Sequence, residues 1–133
     1  MAPEPGDFAA LADHPYVLLT TTRRSGVPVP TPVWVARDGD ALLVTTGAAA
    51  GKVKRVRHTP RVTLQACDRV GNPLEGAPVI EALASVRDDP ETRAHLDAAL
   101  SEKYGAQYAA IRAMGKLRGR AASGSVALRL VAE

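Results

Sequence analysis

Short runs of alternating or continuous apolar residues, rich in β-branched types, recur along the chain. Tyr16–Thr22 (YVLLTTT), Val29–Ala36 (VPTPVWVA), Ala41–Thr46 (ALLVTT), Arg61–Cys67 (RVTLQAC), Val79–Val86 (VIEALASV) and Ser125–Val131 (SVALRLV) each have the length and composition of a strand. In the fourth run Val62, Leu64 and Ala66 fall on one face. Arg23-Arg24-Ser25-Gly26 and Arg37-Asp38-Gly39-Asp40 read as tight turns between the first three runs. Pro28, Pro30 and Pro32 each lack a ladder donor, so the first half of the second run is predicted to be an edge or bulged segment.

Helical signals are fewer. Asp7 opens a short helix to Asp13 that carries Phe8 and Leu11 and stops at His14-Pro15. Lys52–His58 is a basic helix closed by Thr59-Pro60. Asp88-Asp89-Pro90-Glu91 is a helix start, Leu96, Ala99, Leu100 and Tyr104 form the apolar stripe, and Gly105 is the stop. Residues 106–114 suit a further short helix. Residues 47–51, 68–78 and the glycine-rich basic stretch 115–124 are predicted loops. Consecutive strands joined by short turns, with the longer helix inserted before the last, predict an α+β, mainly β fold. It is a small antiparallel barrel with peripheral helices, unlike alternating βαβ units.

The chain has 133 residues, 46% apolar and 23% charged, which predicts one domain over 1–133 with residues 1–6 as a flexible lead-in. Aromatics are only 4%, so the core falls to Val, Leu, Ala and Ile. No apolar run approaches the roughly 20 residues of a membrane span. The first residues have neither the basic nor the apolar region of a signal peptide, and a single cysteine, Cys67, cannot form an intrachain disulfide. A cytoplasmic protein with no membrane partner is expected.

The net charge is only +3, but it is unevenly spread. Between Ala41 and Cys67 there is no Asp or Glu, whereas Lys52, Lys54, Arg55, Arg57 and Arg61 all lie there. Strand, glycine loop and basic helix follow one another (ALLVTT-GAAAG-KVKRVRHTP). A helix N-terminus offers free N–H groups and a partial positive charge, so the segment suits an anion such as a phosphate. It is not a Walker A loop: that motif needs four residues between its glycines and Ser or Thr after the Lys, whereas three separate Gly47 from Gly51 and Val53 follows Lys52. No aromatic platform accompanies the cations, so nucleic acid is not expected as a partner. The alternative to an anion site is a solvated basic face. His14, His58 and His95 are scattered and lack metal-ligand spacing with Cys67, so no metal is expected. Trp34 serves either as core or as a wall for a ring. Lys116, Arg118 and Arg120 either form a solvated loop or close over a ligand.

The runs TTRRSGVPVPTPVWVARDGDALLVTT and GKVKRVRHTPRVTLQA resemble the pyridoxamine 5′-phosphate oxidase-like split β-barrel superfamily. Within it, the chain is most similar to the actinobacterial coenzyme F420-dependent oxidoreductases of the PPOX class. The resemblance spans roughly residues 8–131. It implies a six-stranded split β-barrel, a homodimer with the cofactor at the subunit interface, and a small-molecule substrate. It also implies that Pro30, Thr31, Pro32, Val33 and Trp34 lie along the cofactor ring. Thr45, Thr46, Ala50, Gly51 and Lys52 would hold the phosphate, Arg55 and Arg57 the tail, and Gln65 would lie near the ring. The flavin-binding oxidases usually have Ser-Arg-Lys where this chain has Ala50-Gly51-Lys52. That departure favours coenzyme F420, with its long anionic tail, over FMN. The implied activity is hydride transfer from reduced deazaflavin to a small conjugated acceptor (enone, quinone or tetrapyrrole-like), with no protein nucleophile. The alternatives are an FMN-binding oxidoreductase and a non-catalytic flavin-, deazaflavin- or tetrapyrrole-binding protein.

Overall fold

A computed structural model describes residues 5–117 and 125–133. A short helix α1 (Pro5–Ala10) tightens into a 3₁₀ turn, Leu11–Asp13. Strands β1 (Val17–Thr22), β2 (Pro28–Val33), β3 (Ala36–Asp38) and β4 (Ala41–Gly47) follow. Then come helix α2 (Gly51–His58), strands β5 (Arg61–Ala66) and β6 (Ile80–Arg87), helices α3 (Pro90–Tyr104) and α4 (Ala106–Leu117), and strand β7 (Ser125–Ala132). Both tight turns use glycine at positive φ, 90° at Gly26 and 61° at Gly39. Asp89 caps α3 by accepting the Thr92 N–H at 2.9 Å, with Pro90 opening the helix. The start of the expected loop 115–124 belongs to α4, and residues 118–124, with Arg118 and Arg120, lie outside the described residues.

All the strands join one antiparallel sheet in the order β2-β1-β5-β6-β7-β4-β3. Its two edge strands, β2 and β3, are consecutive in the chain and separated by Trp34 and Val35 alone. The sheet therefore curls until its ends approach, giving a half-barrel of the split-barrel kind. The count of six strands is corrected to seven, because the run Val29–Ala36 breaks at this corner. Val35 is fully buried and its backbone groups are met by α3 in place of a neighbouring strand. Tyr104 Oη accepts the Val35 N–H at 3.2 Å and donates to Pro15 O at 2.8 Å. Lys103 Nζ donates to Val35 O at 2.5 Å and to His14 O at 2.7 Å. A buried backbone group without a partner is costly, so the corner exists only because α3 supplies these.

The inner face packs Val17, Leu19, Val33, Leu42, Val44, Val62, Leu64, Ile80, Ala82, Leu128 and Leu130 into the main core. Aliphatic residues dominate it, as the composition requires. A second cluster lies under α3 on the outer face of β3, β4 and β7, where Ala36, Leu43 and Ala127 meet Leu96, Leu100 and Tyr108. Helix α2 meets β1 and β6 and joins the main core through Val56, whereas Leu83 on the outer face of β6 is exposed. No helix among the described residues is long and apolar enough to cross a membrane.

Candidate functional site: a cationic cradle at the start of α2

β1, β4 and β6 run in one direction, so their C-terminal ends lie at the same end of the barrel. Helix α2 packs against β1 and β6 there, burying Val53 and Val56. The spacing of those two valines explains the orientation: they are one turn apart, and Lys52, Lys54, Arg55 and Arg57 fall outside that stripe. The N-terminus of α2 has no side-chain cap at Ala50, and there is no acid in its first turn. Its free N–H groups thus carry the helix's positive end without a counter-charge.

Two cations crowd this end. Lys52 is half-buried, and its ammonium is lowered from its usual range, first by burial and then by the neighbouring Arg55. Arg55 bends over the first turn, with its Nε donating to Thr21 Oγ1 at 2.6 Å. Its Nη1 lies 2.7 Å from the point a Cβ on Gly51 would occupy. Thr46, on the inner face one residue before β4 ends, is 7% exposed, and its Oγ1 is buried without a hydrogen-bond partner. Clustered cations, an uncapped helix start and an orphaned hydroxyl at one end of the barrel have the chemistry of a phosphate seat. They fit the anionic part of a flavin or deazaflavin cofactor.

The remaining residues singled out from the sequence fall in several places. Pro30 and Pro32 face outwards, opposite Thr20 and Leu18, whereas Thr31 and Val33 turn towards the interior. Pro28, Pro30 and Pro32 stand opposite Thr22, Thr20 and Leu18 on an edge strand, the place in a sheet where a missing N–H is tolerated. Leu18 and Pro32 pack under Gly71 of the following loop, giving an apolar outer surface. Gln65 lies on that face opposite Leu18, and its Nε2 donates to Ala77 O at 3.0 Å, holding the loop 68–79 in place. Trp34 belongs to the other side: its ring stacks on Tyr104 with centroids 4.1 Å apart, and it packs against the cluster under α3. Strand alternation also separates the two threonines. Thr46 faces inwards, while Thr45 faces a polar cavity of about 290 Å³ shared with Arg93, Asp97, Tyr108 and Ser125. Arg57 is exposed on α2.

Sequence reasoning missed Thr21, which anchors Arg55, and Leu18 and Gly71 beside the prolines. Alternation along YVLLTTT puts Thr21 on the buried face with Val17 and Leu19, so its burial was readable; its partner on α2, far along the chain, was not. Cys67 is buried, and burial followed by nearby Asp68 pushes its thiol up, away from the reactive thiolate. His58 Nε2 accepts from Arg24 Nε, which ties the β1–β2 turn to the end of α2. Among the described residues no three His, Cys, Asp or Glu side chains are grouped as a metal site.

A model of the pyridoxamine 5′-phosphate oxidase family matches residues 7–133, so the chain belongs to this flavin-binding split-barrel family. No curated protein matches it. Among solved structures, a conserved hypothetical protein of Mycobacterium tuberculosis is similar, with 21% identity and a TM-score of 0.71 over all of this chain and 82% of that one. An F420 reductase has 21% identity and a TM-score of 0.64, covering 99% of this chain and 96% of its own. The heme storage protein HutZ of Vibrio cholerae has 17% identity and a TM-score of 0.67, covering 100% and 92%. At these identities the likeness is one of fold.

Proposed function

We propose that the protein is a coenzyme F420-dependent reductase acting as a homodimer on a small conjugated acceptor. The observation that carries this reading is the acid-free start of α2 with Lys52 and Arg55, at the end of the barrel where the Thr46 hydroxyl is left without a partner. Its cations continue along the helix to Lys54 and Arg57, which suits a ligand with several negative charges in a row. Lys52, Arg55 and the first-turn N–H groups would hold the phosphate. The apolar outer surface of Pro30, Pro32 and Leu18 would seat the ring and keep water from it. When bound, reduced deazaflavin supplies a hydride from its ring carbon to an electron-poor carbon of the acceptor.

The outer face beside these residues supports the homodimer. Val27, Val70, Leu74, Val79 and Leu83 are exposed there or on its adjoining loops. A second copy would cover them and close the ring surface.

The test is a fluorescence titration of cofactor-free protein with coenzyme F420 and with FMN, repeated on Lys52→Ala. Tighter binding of F420 is expected, weakened in the variant by about 1.5–3 kcal/mol, the worth of a charge-assisted bond. Preference for FMN moves the protein to the flavin-dependent oxidoreductases. F420 binding without turnover of any quinone, enone or tetrapyrrole acceptor makes it a binding protein.

A further inference from the structure

The glycine at position 51 is not required by the backbone. It opens a helix and is absent from the glycines with positive φ, so any L-residue fits its conformation and alanine is the better helix former. The space where its side chain would stand is nevertheless taken. The Arg55 guanidinium lies across it, with Nη1, Cζ and Nη2 at 2.7, 3.6 and 3.9 Å from an ideal Cβ. On charge alone Arg55 should not be there. Its backbone is in the last turn of α2, but its guanidinium reaches back to the helix's positive end and next to Lys52, where repulsion favours swinging out to water. Thr21 holds it in place. Thr21 is 1% exposed on the inner face of β1, and its hydroxyl engages Nε alone, leaving the terminal nitrogens turned to the first turn of α2.

We infer that position 51 is the specificity determinant of the cradle: with glycine there, Arg55, positioned by Thr21, becomes the second cation facing the ligand's phosphate. The inference rests on the cofactor reading above and deepens it. A guanidinium presented end-on offers two donors to two phosphate oxygens, so it recognises the phosphate group itself and not the ring. Any side chain at 51 displaces it. Because the displaced atoms are the far end of a flexible chain, the substitution leaves the fold intact.

The test compares wild type, Gly51→Ala, Arg55→Met, the double variant and Thr21→Val. The probes are FMN and coenzyme F420, each set against its phosphate-free core, riboflavin or the corresponding deazariboflavin. Melting temperatures are taken without ligand. Gly51→Ala is expected to melt at or above the wild-type temperature while its affinity for the phosphate-bearing probe falls roughly 10- to 100-fold. Affinity for the phosphate-free core stays constant. The double variant binds no worse than Arg55→Met alone, since both changes remove one contact. Thr21→Val shifts affinity in the same direction by less. Wild-type affinity in Gly51→Ala, full additivity with Arg55→Met, or an equal loss for the phosphate-free core overturns the inference while the cofactor reading stands. If wild-type protein binds neither phosphate-bearing probe, the cofactor reading itself fails and the inference with it.

Discussion

Lys103 shows how one side chain can serve the fold at an electrostatic cost. It donates to the carbonyls of His14 and Val35 and lies 5.0 Å from the centre of the Tyr104 ring. Burial lowers its ammonium from 10.5 to about 8, with Asp13 pulling weakly the other way. Between pH 8 and 10 the unfolded chain keeps a proton that the folded protein has released, so Lys103 makes stability rise with pH over that window. Burial acts in the opposite sense on Tyr104, raised to about 12, and removes stability only above pH 10, where the unfolded phenol ionises. Urea midpoints at pH 7.5 and 9.5 should therefore show a gain in wild type that Lys103→Met lacks; parallel pH dependence in the two proteins would remove Lys103 from this role. Every group titrating in both proteins cancels in the comparison.

At the scale of elements, the decisive feature is the corner between β2 and β3. Trp34 on Tyr104, and Val35 bonded by Tyr104 and Lys103, make α3 the element that turns the chain from one sheet edge to the other. Tyr104→Phe keeps the stacking and removes the acceptor of a buried N–H. It should cost about 1–3 kcal/mol in chemical denaturation. A loss within experimental error would mean that another group meets Val35. The stripe of Leu96, Ala99, Leu100 and Tyr104 made α3 legible as a helix, and alternation made β5 and β7 legible as strands. The corner was not legible, because VPTPVWVA reads as one apolar run and nothing local marks Val35 as a residue whose hydrogen bonds go to a helix nearly seventy positions away. The prolines of β2 were readable as an edge signal, since an edge strand is the place where alternate donors are dispensable.

At the scale of the whole molecule, one outer sheet face is covered by α3 and the other carries exposed Leu83, with Val70 held out on a loop that Asp68 stiffens by accepting from Val70 and Asn72. Light scattering after size exclusion should give twice the chain mass of 14.0 kDa. Leu83→Glu, which puts a charge on that face, should shift it towards one copy and weaken cofactor binding with it. A single-copy wild type that binds cofactor at full affinity would contradict a shared site. Local chemistry along the chain was enough for the strand and helix identities, the turn glycines, the aliphatic core and an acid-free basic helix after a glycine loop. Each depends on periodicity, backbone preference or charge within a few residues. Long-range assembly fixed the seven-stranded sheet, the split of Thr45 and Thr46 to opposite faces of β4, the packing of Trp34 under α3, and the placing of Arg55 in the space left by Gly51. Those outcomes depend on which distant backbone and side-chain groups are brought within bonding distance, and no local pattern carries that information.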